Sequence, residues 1–183
     1  FQNYEEFSTF VVKKQINGRG RFTRKWHSPA GNLYFSTIIK PKHHINYWPQ
    51  MSFVAALAVK SVINNNINCN VKFKWPNDLM IDLKKVSGIL LEPTDDKKAI
   101  IIGIGINLIS NPEIKGSFWK ATNLYDVSGF KLIPENLSLE LLEQIINFVN
   151  IWYEQGFEYI KELWLKNVLF LKQELYFTDL KNK

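Results

Sequence analysis

Hydrophobic residues come in short runs with two different periods. Phe10-Val11-Val12 reads as the end of a strand over residues 9–14, and Leu33-Tyr34-Phe35-Ser36-Thr37-Ile38-Ile39 reads as the next. Pro41 and the polar Lys42-His43-His44 stop that second strand. From Ser52, a residue suited to an N-cap, Phe53, Val54, Leu57, Ala58, Val62 and Ile63 recur near the 3.6-residue period, which predicts a helix ending in Asn64-Asn65-Asn66. Val71-Lys72-Phe73-Lys74-Trp75 alternates like a strand up to Pro76. Val86–Leu91 and Ala99–Asn107 are two further strands, the second so uniformly apolar that burial on both faces is expected. Gly88, Gly103 and Gly105 inside these runs predict bulges or close approach of another segment.

Residues 109–137 are interrupted by Pro112, Gly116, Gly129 and Pro134 and read as loop. From Ser138, Leu139, Leu142, Ile145, Ile146, Val149 and Trp152 form one apolar helical face, with Glu140 in the first turn to favour the helix dipole. Gly156 breaks this helix and a second runs over about 157–167. Leu175-Tyr176-Phe177 reads as the start of one more strand. Without repeats or a low-complexity linker, the pattern is that of one α+β domain over residues 1–170, with residues 171–183 as the stub of another.

Composition adds less. At 183 residues, 46% of them hydrophobic and 22% charged, the chain can bury a core without staples. Its net charge of +6 favours anionic ligands or acidic partners, yet the lysines are scattered, and neither a helix-turn-helix signature nor a zinc-finger spacing is present, so direct nucleic-acid binding ranks low. The lone Cys69 excludes an intrachain disulfide. No apolar run reaches the ~18 residues of a membrane span, and no signal peptide is visible; a cytoplasmic protein is expected.

Arginine usage changes the picture. Of 23 Lys plus Arg, the only arginines are Arg19, Arg21 and Arg24, all in the loop Gln15–Trp26. Gly18 and Gly20 let backbone N–H groups approach a ligand, and guanidinium forks match phosphate or carboxylate. A solvated basic turn is the alternative. Lys74-Trp75-Pro76-Asn77-Asp78 sets an amide and a carboxylate at a strand end, which is equally ordinary turn chemistry. Adjacent histidines at 43 and 44 point to opposite faces of an extended chain and do not make a metal site. Gly103-Ile104-Gly105 lacks the third glycine and the helix of a dinucleotide fingerprint.

With these stretches in place, the chain resembles the catalytic domain of biotin protein ligases. The matching blocks are Gln15-x-x-Gly-Arg-Gly-Arg-x-x-Arg-x-Trp26, Ser28-Pro-x-Gly-x-Leu-Tyr-Phe-Ser36, Lys74-Trp-Pro-Asn-Asp78, Lys85-Val-Ser-Gly-Ile-Leu90 and Gly103-Ile-Gly-Ile-Asn107. The resemblance implies a class II synthetase-like fold, a mixed, largely antiparallel central sheet with helices packed on one face. It implies that biotin and ATP form biotinyl-5′-AMP and pyrophosphate, with Mg²⁺, and that biotin then passes to a lysine of a biotin carboxyl carrier protein. Carried over by position, Gln15, Arg19, Gly20, Arg21, Lys85 and Gly88 bind biotin. Arg21, Arg24, Trp26, Asn77, Lys85 and Asn107 lie on the ATP side, with Trp26 near the adenine.

Two anions must meet in the first step, so fixed positive charge is needed, and Arg21 and Lys85 are the candidates to supply it. Asp78 is the candidate to orient or deprotonate the acceptor lysine, or else to hold Mg²⁺ or the loop. No residue is assigned as a metal ligand. The arginine loop is expected to be mobile without ligand and to close over it. The chain departs from the family at Thr23, where glycine is usual; the Ser-Thr-Asn block that lines the biotin pocket is expected before the chain's start, and of the small β-barrel that follows in the family only a candidate first strand is expected within these residues. A lipoate ligase or acyl transferase of the same fold, and a biotin-binding sensor without turnover, are the alternatives. No DNA-binding segment is recognised, and a homodimer is compatible with the resemblance.

Overall fold

The computed structural model describes residues 4–112 and 119–170. The strand expected at 175–177 and the stub at 171–183 lie outside the described residues. Six strands form one sheet: β1 (Thr9–Val12), β2 (Leu33–Ile39), β3 (Lys72–Lys74), β4 (Asp78–Ile81), β5 (Lys84–Pro93) and β6 (Ile100–Ile106), in the order β1-β2-β6-β5-β4-β3. Every neighbouring pair is antiparallel. The expected α+β class with a largely antiparallel sheet is therefore the observed one. Among the described residues three helices complete it: α1 (Met51–Asn66), α2 (Leu124–Ser128) and α3 (Pro134–Leu165).

The period-2 pattern explains how the sheet divides its faces. On β6, Ile100, Ile102, Ile104 and Ile106 are buried, whereas Ile101, Gly103 and Gly105 between them are half-buried. The first set joins Leu33, Phe35 and Ile39 of β2 and Ile89 of β5 in a core with α1 and α3. The expectation that β6 is buried on both faces fails here: its second face lines a cavity. α1 is buried at every residue from Val54 to Val59 because it lies between the sheet and α3.

Several boundaries differ from the sequence reading. Ser52 lies inside α1; the cap position is Gln50, without a side-chain cap, and the Ser52 hydroxyl donates to the Pro76 carbonyl at 3.1 Å. A 3-10 turn over Ile45–Gln50 precedes α1, with His43 stacked on Tyr153. β4 was not anticipated, because Asp78-Leu79-Met80-Ile81 is too short to show alternation after a turn signal. The short α2 is capped by Asn123, which accepts from the Asp126 N–H. α3 begins at Pro134, where proline suits the first turn, rather than at Ser138. Glu140 is therefore past the first turn, and its carboxylate accepts from Asn65 and Asn66 at the end of α1, both at 2.8 Å.

The break at Gly156 is present (φ 77°, ψ 176°), a conformation reserved for glycine. It redirects the chain so that Trp164 stacks on Phe73 of β3 at 5.5 Å. The following segment then bonds to the outer edge of β3: the Phe73 N–H donates to the Asn167 carbonyl and the Leu169 N–H to the Phe73 carbonyl, both at 2.8 Å. No helix among the described residues is long and apolar enough to cross a membrane.

Candidate active site

The face of the sheet turned away from the helices carries one complete cross-strand row. Strand register aligns Val12, Tyr34, Gly105, Gly88, Asp78 and Lys74 across all six strands. In the middle of this row the two glycines leave a bare patch of backbone, and the Trp26 ring fills it. A Cβ added at Gly105 would come within 2.5 Å of the Trp26 ring, and one at Gly88 within 3.0 Å. The next row holds Phe10, Ser36, Gly103 and Leu90. Above Gly103 an added Cβ would meet nothing closer than 3.7 Å, so the floor there is open.

These rows floor a cavity of about 1110 Å³. All eleven residues singled out from the sequence line it: Gln15, Arg19, Gly20, Arg21, Arg24, Trp26, Asn77, Asp78, Lys85, Gly88 and Asn107.

Lys85 reaches the cavity through a β-bulge. Between Leu79 and Met80 the pairing on β5 jumps from Ser87 to Lys85, leaving Val86 as an extra residue. Val86 and Ser87 consequently both turn to the buried side, and Lys85 faces the cavity with Gly88 instead of the helices. There its ammonium meets Asp78 Oδ1 at 2.5 Å and lies over the Trp26 ring, 5.1 Å from the centroid. The other oxygen, Asp78 Oδ2, is 3.6 Å from the Lys74 ammonium, which lies 5.4 Å from the centroid of Trp119. Asp78 thus gathers two cations at one end of the cavity.

The arginine loop is a folded strap. Backbone bonds link Gln15 to Ser28, Gly18 to Trp26 and Gly20 to Arg24, and the tip turns through Phe22 in the left-handed region (φ 54°, ψ 46°). Three contacts tie this hairpin to the cavity wall. Trp26 lies on the glycine floor, Arg21 Nη1 donates to Asn77 Oδ1 at 3.5 Å with its guanidinium 4.9 Å from the Phe22 ring centroid, and Arg19 Nη2 donates to Glu92 Oε2 at 3.0 Å. Arg24 is exposed at the strap's tip, and Gly20 N donates to the Arg24 carbonyl at 2.7 Å. Gln15 is fixed by its own ladder, with Oε1 accepting from the Ser28 hydroxyl at 2.8 Å.

Two predicted residues have groups already committed. Asn77 Nδ2 donates to the Ile89 carbonyl at 2.7 Å, which leaves Oδ1 towards Arg21. Asn107 is buried and donates one of its two amide hydrogens to the Thr122 carbonyl at 2.9 Å, which leaves the second hydrogen and Oδ1. The indole N–H of Trp26 is buried with no partner among the described residues.

The sequence reading passed over Lys74, Tyr34, Glu92 and Trp119, which also line the cavity. Lys74 stood inside a block already quoted, and its register opposite Asp78 was the missing signal. Tyr34 is 3% exposed and donates to the Pro29 carbonyl at 2.7 Å; burial pushes its phenol above the ordinary value. Glu92 and Trp119 carry no signal in a single sequence.

A model of the biotin/lipoate A/B protein ligase family matches residues 1–107. The chain is 35% identical over 171 residues to the bifunctional ligase/repressor BirA of Bacillus subtilis strain 168, covering 88% of this chain and 52% of that protein. It is 31% identical over 169 residues to the biotin–[acetyl-CoA-carboxylase] ligase of Paracoccus denitrificans, covering 85% of this chain and 68% of the other. Among solved structures, the biotin protein ligase of Aquifex aeolicus in complex with biotin and ATP superposes with a TM-score of 0.83 at 32% identity, over 92% of this chain and 72% of that one. The chain spans about half the length of the Bacillus relative.

Proposed function

The chain belongs to the biotin/lipoate A/B protein ligase family, and from that membership we propose that it is the catalytic domain of a biotin protein ligase. The biotin carboxylate attacks the α-phosphate of ATP and pyrophosphate leaves, giving biotinyl-5′-AMP. The amine of a carrier-protein lysine then attacks the acyl carbon of this mixed anhydride, AMP leaves, and an amide forms. One observation carries the reading. The cavity joins an open, largely apolar floor around Gly103, Leu90, Phe10 and Ile101 to an end where Lys74 and Lys85 meet on Asp78 and Arg21 bonds to the adjacent Asn77. That gradient suits a ligand with a neutral ring body and an anionic tail.

Lys85 and Arg21 supply fixed positive charge where the carboxylate and α-phosphate meet, without reorganisation during the step. Gln15, Arg19, Gly20 and Gly88 contribute to the biotin part, and Arg24, Trp26, Asn77 and Asn107 to the nucleotide part. Asp78 has both oxygens engaged by ammonium groups, which favours a role in holding Lys85 and Lys74 over one as proton acceptor. Among the described residues, no group of three or more His, Cys, Asp or Glu could hold a metal ion. With Asp78 paired to two lysines and Glu92 to Arg19, the donors suit a Mg²⁺ that arrives on the nucleotide's phosphates and offsets their charge. A biotin carboxyl carrier protein as partner and a cytoplasmic setting belong to the same proposal.

The test is pyrophosphate release from ATP by the 183-residue chain with biotin, with lipoate and with neither. Biotin-dependent release supports the ligase. Lipoate-dependent release would transfer the site to a lipoate ligase, and tight adenylate binding with no release would make it a sensor.

A further inference from the structure

The strap is pinned at opposite ends of the cavity. At one end Trp26 lies on Gly88 and Gly105; at the other Arg19 bonds to Glu92 at 3.0 Å. Gly88 and Glu92 share the cavity face of β5, and four residues of strand separate them by about 13 Å. Between them, opposite Leu90, lies the open floor above Gly103. The Arg19–Glu92 pair therefore bars the far end of the chamber in which the open floor lies. Among the described residues the Glu92 side chain has no other hydrogen-bond or ion-pair partner, and it is the only carboxylate on this side of the cavity lining.

We propose that Glu92 is a positioning residue that latches the strap through Arg19 and so limits escape of the bound acyl-adenylate. The inference rests on the ligase reading for the identity of that ligand, but the latch itself is a property of the chain. An exposed ion pair contributes little to global folding, with Arg19 70% and Glu92 38% accessible in their side chains. A strap has to break only its own few contacts to open, so a weak pair weighs directly on that equilibrium. The sign of the effect is informative. Were Glu92 merely one more charge near an anion site, removing it would tighten an anionic ligand; as a latch, removing it speeds the ligand's loss.

The experiment compares the wild-type chain with Glu92→Gln, loaded with biotinyl-5′-adenylate made in place from labelled biotin and ATP and chased with unlabelled adenylate. Glu92→Gln is expected to release the label about two- to fivefold faster at low salt. The difference should shrink at about 0.5 M salt, where the wild-type pair is screened. Unchanged or slower release at low salt would overturn the latch, as would a difference indifferent to salt. Hydrogen exchange over residues 18–25 of the ligand-free chain is the second measurement: faster exchange in Glu92→Gln supports the latch, and equal exchange overturns it. If the wild type forms no adenylate, the ligase reading falls, and the exchange measurement still decides the latch.

Discussion

Lys85 and Asp78 meet at 2.5 Å, on strands whose register slips by one residue between them. The slip matters because simple alternation back from Gly88 would aim Lys85 at the helices. Lys85→Ala should lower adenylate formation by about 10²–10³-fold, the range for losing a preorganised charge at the reacting atoms. Asp78→Asn should also slow adenylate formation, because the two ammoniums lose the group that gathers them. Single-turnover transfer from preformed adenylate separates the roles: near-wild-type transfer in Asp78→Asn fits a holding role, and a selective loss of transfer would restore Asp78 as proton acceptor.

Gly105→Ala and Gly103→Ala should differ although the glycines are two residues apart. The first drives a methyl into the Trp26 ring at 2.5 Å, while the second meets only Leu90 and Ser36 from 3.7 Å outward. Gly105→Ala is expected to destabilise the fold by about 1–3 kcal/mol through overpacking. Gly103→Ala should leave the melting temperature close to wild type while weakening biotin in calorimetric titration. Equal thermal midpoints for the two would contradict the placement of Trp26.

These glycines also show how far a single sequence reaches. The apolar run of β6 with glycines at 103 and 105 was legible as a strand approached closely by something, and the arginines at 19, 21 and 24 as one cluster, which lies along the cavity. What approaches Gly105 was not legible, since Trp26 is brought there by the strap's ladder and not by any local pattern. The bulge that turns Lys85 was hidden for the same reason: a register slip belongs to the pairing of two strands. Glu92 lies 73 residues from Arg19, beyond the reach of any spacing argument.

Tyr34 should make the fold sensitive to alkali. Burial raises its phenol above the ordinary value in the folded chain, so the unfolded chain gives up that proton first. The contribution is complete below the unfolded tyrosine value of about 10 and is lost as pH rises through the higher folded value. Urea unfolding followed across that range should fall more steeply in wild type than in Tyr34→Phe. At neutral pH the variant should lose about 1 kcal/mol with the bond to Pro29. Parallel curves would mean that Tyr34 ionises like an exposed tyrosine.

Ser87 offers the opposite outcome. It is fully buried in the bulge, and its hydroxyl has no partner among the described residues. An unsatisfied buried hydroxyl costs about 1–3 kcal/mol, so Ser87→Ala should match or exceed wild-type stability in chemical denaturation. A clear loss of stability would show that the hydroxyl is bonded in solution.

The segment that bonds to Phe73 after the turn at Gly156 also governs how this sheet can grow. Asn167 and Leu169 occupy the backbone groups on the outer side of β3, so a foreign strand finds no free ladder there. At the other margin β1 pairs only with β2 among the described strands, and Phe10, Val11 and Val12 stand exposed along it. A sheet with one sealed margin can accept a single additional strand or pair once with its own copy. It cannot stack margin to margin without limit, which requires two receptive sides on every molecule.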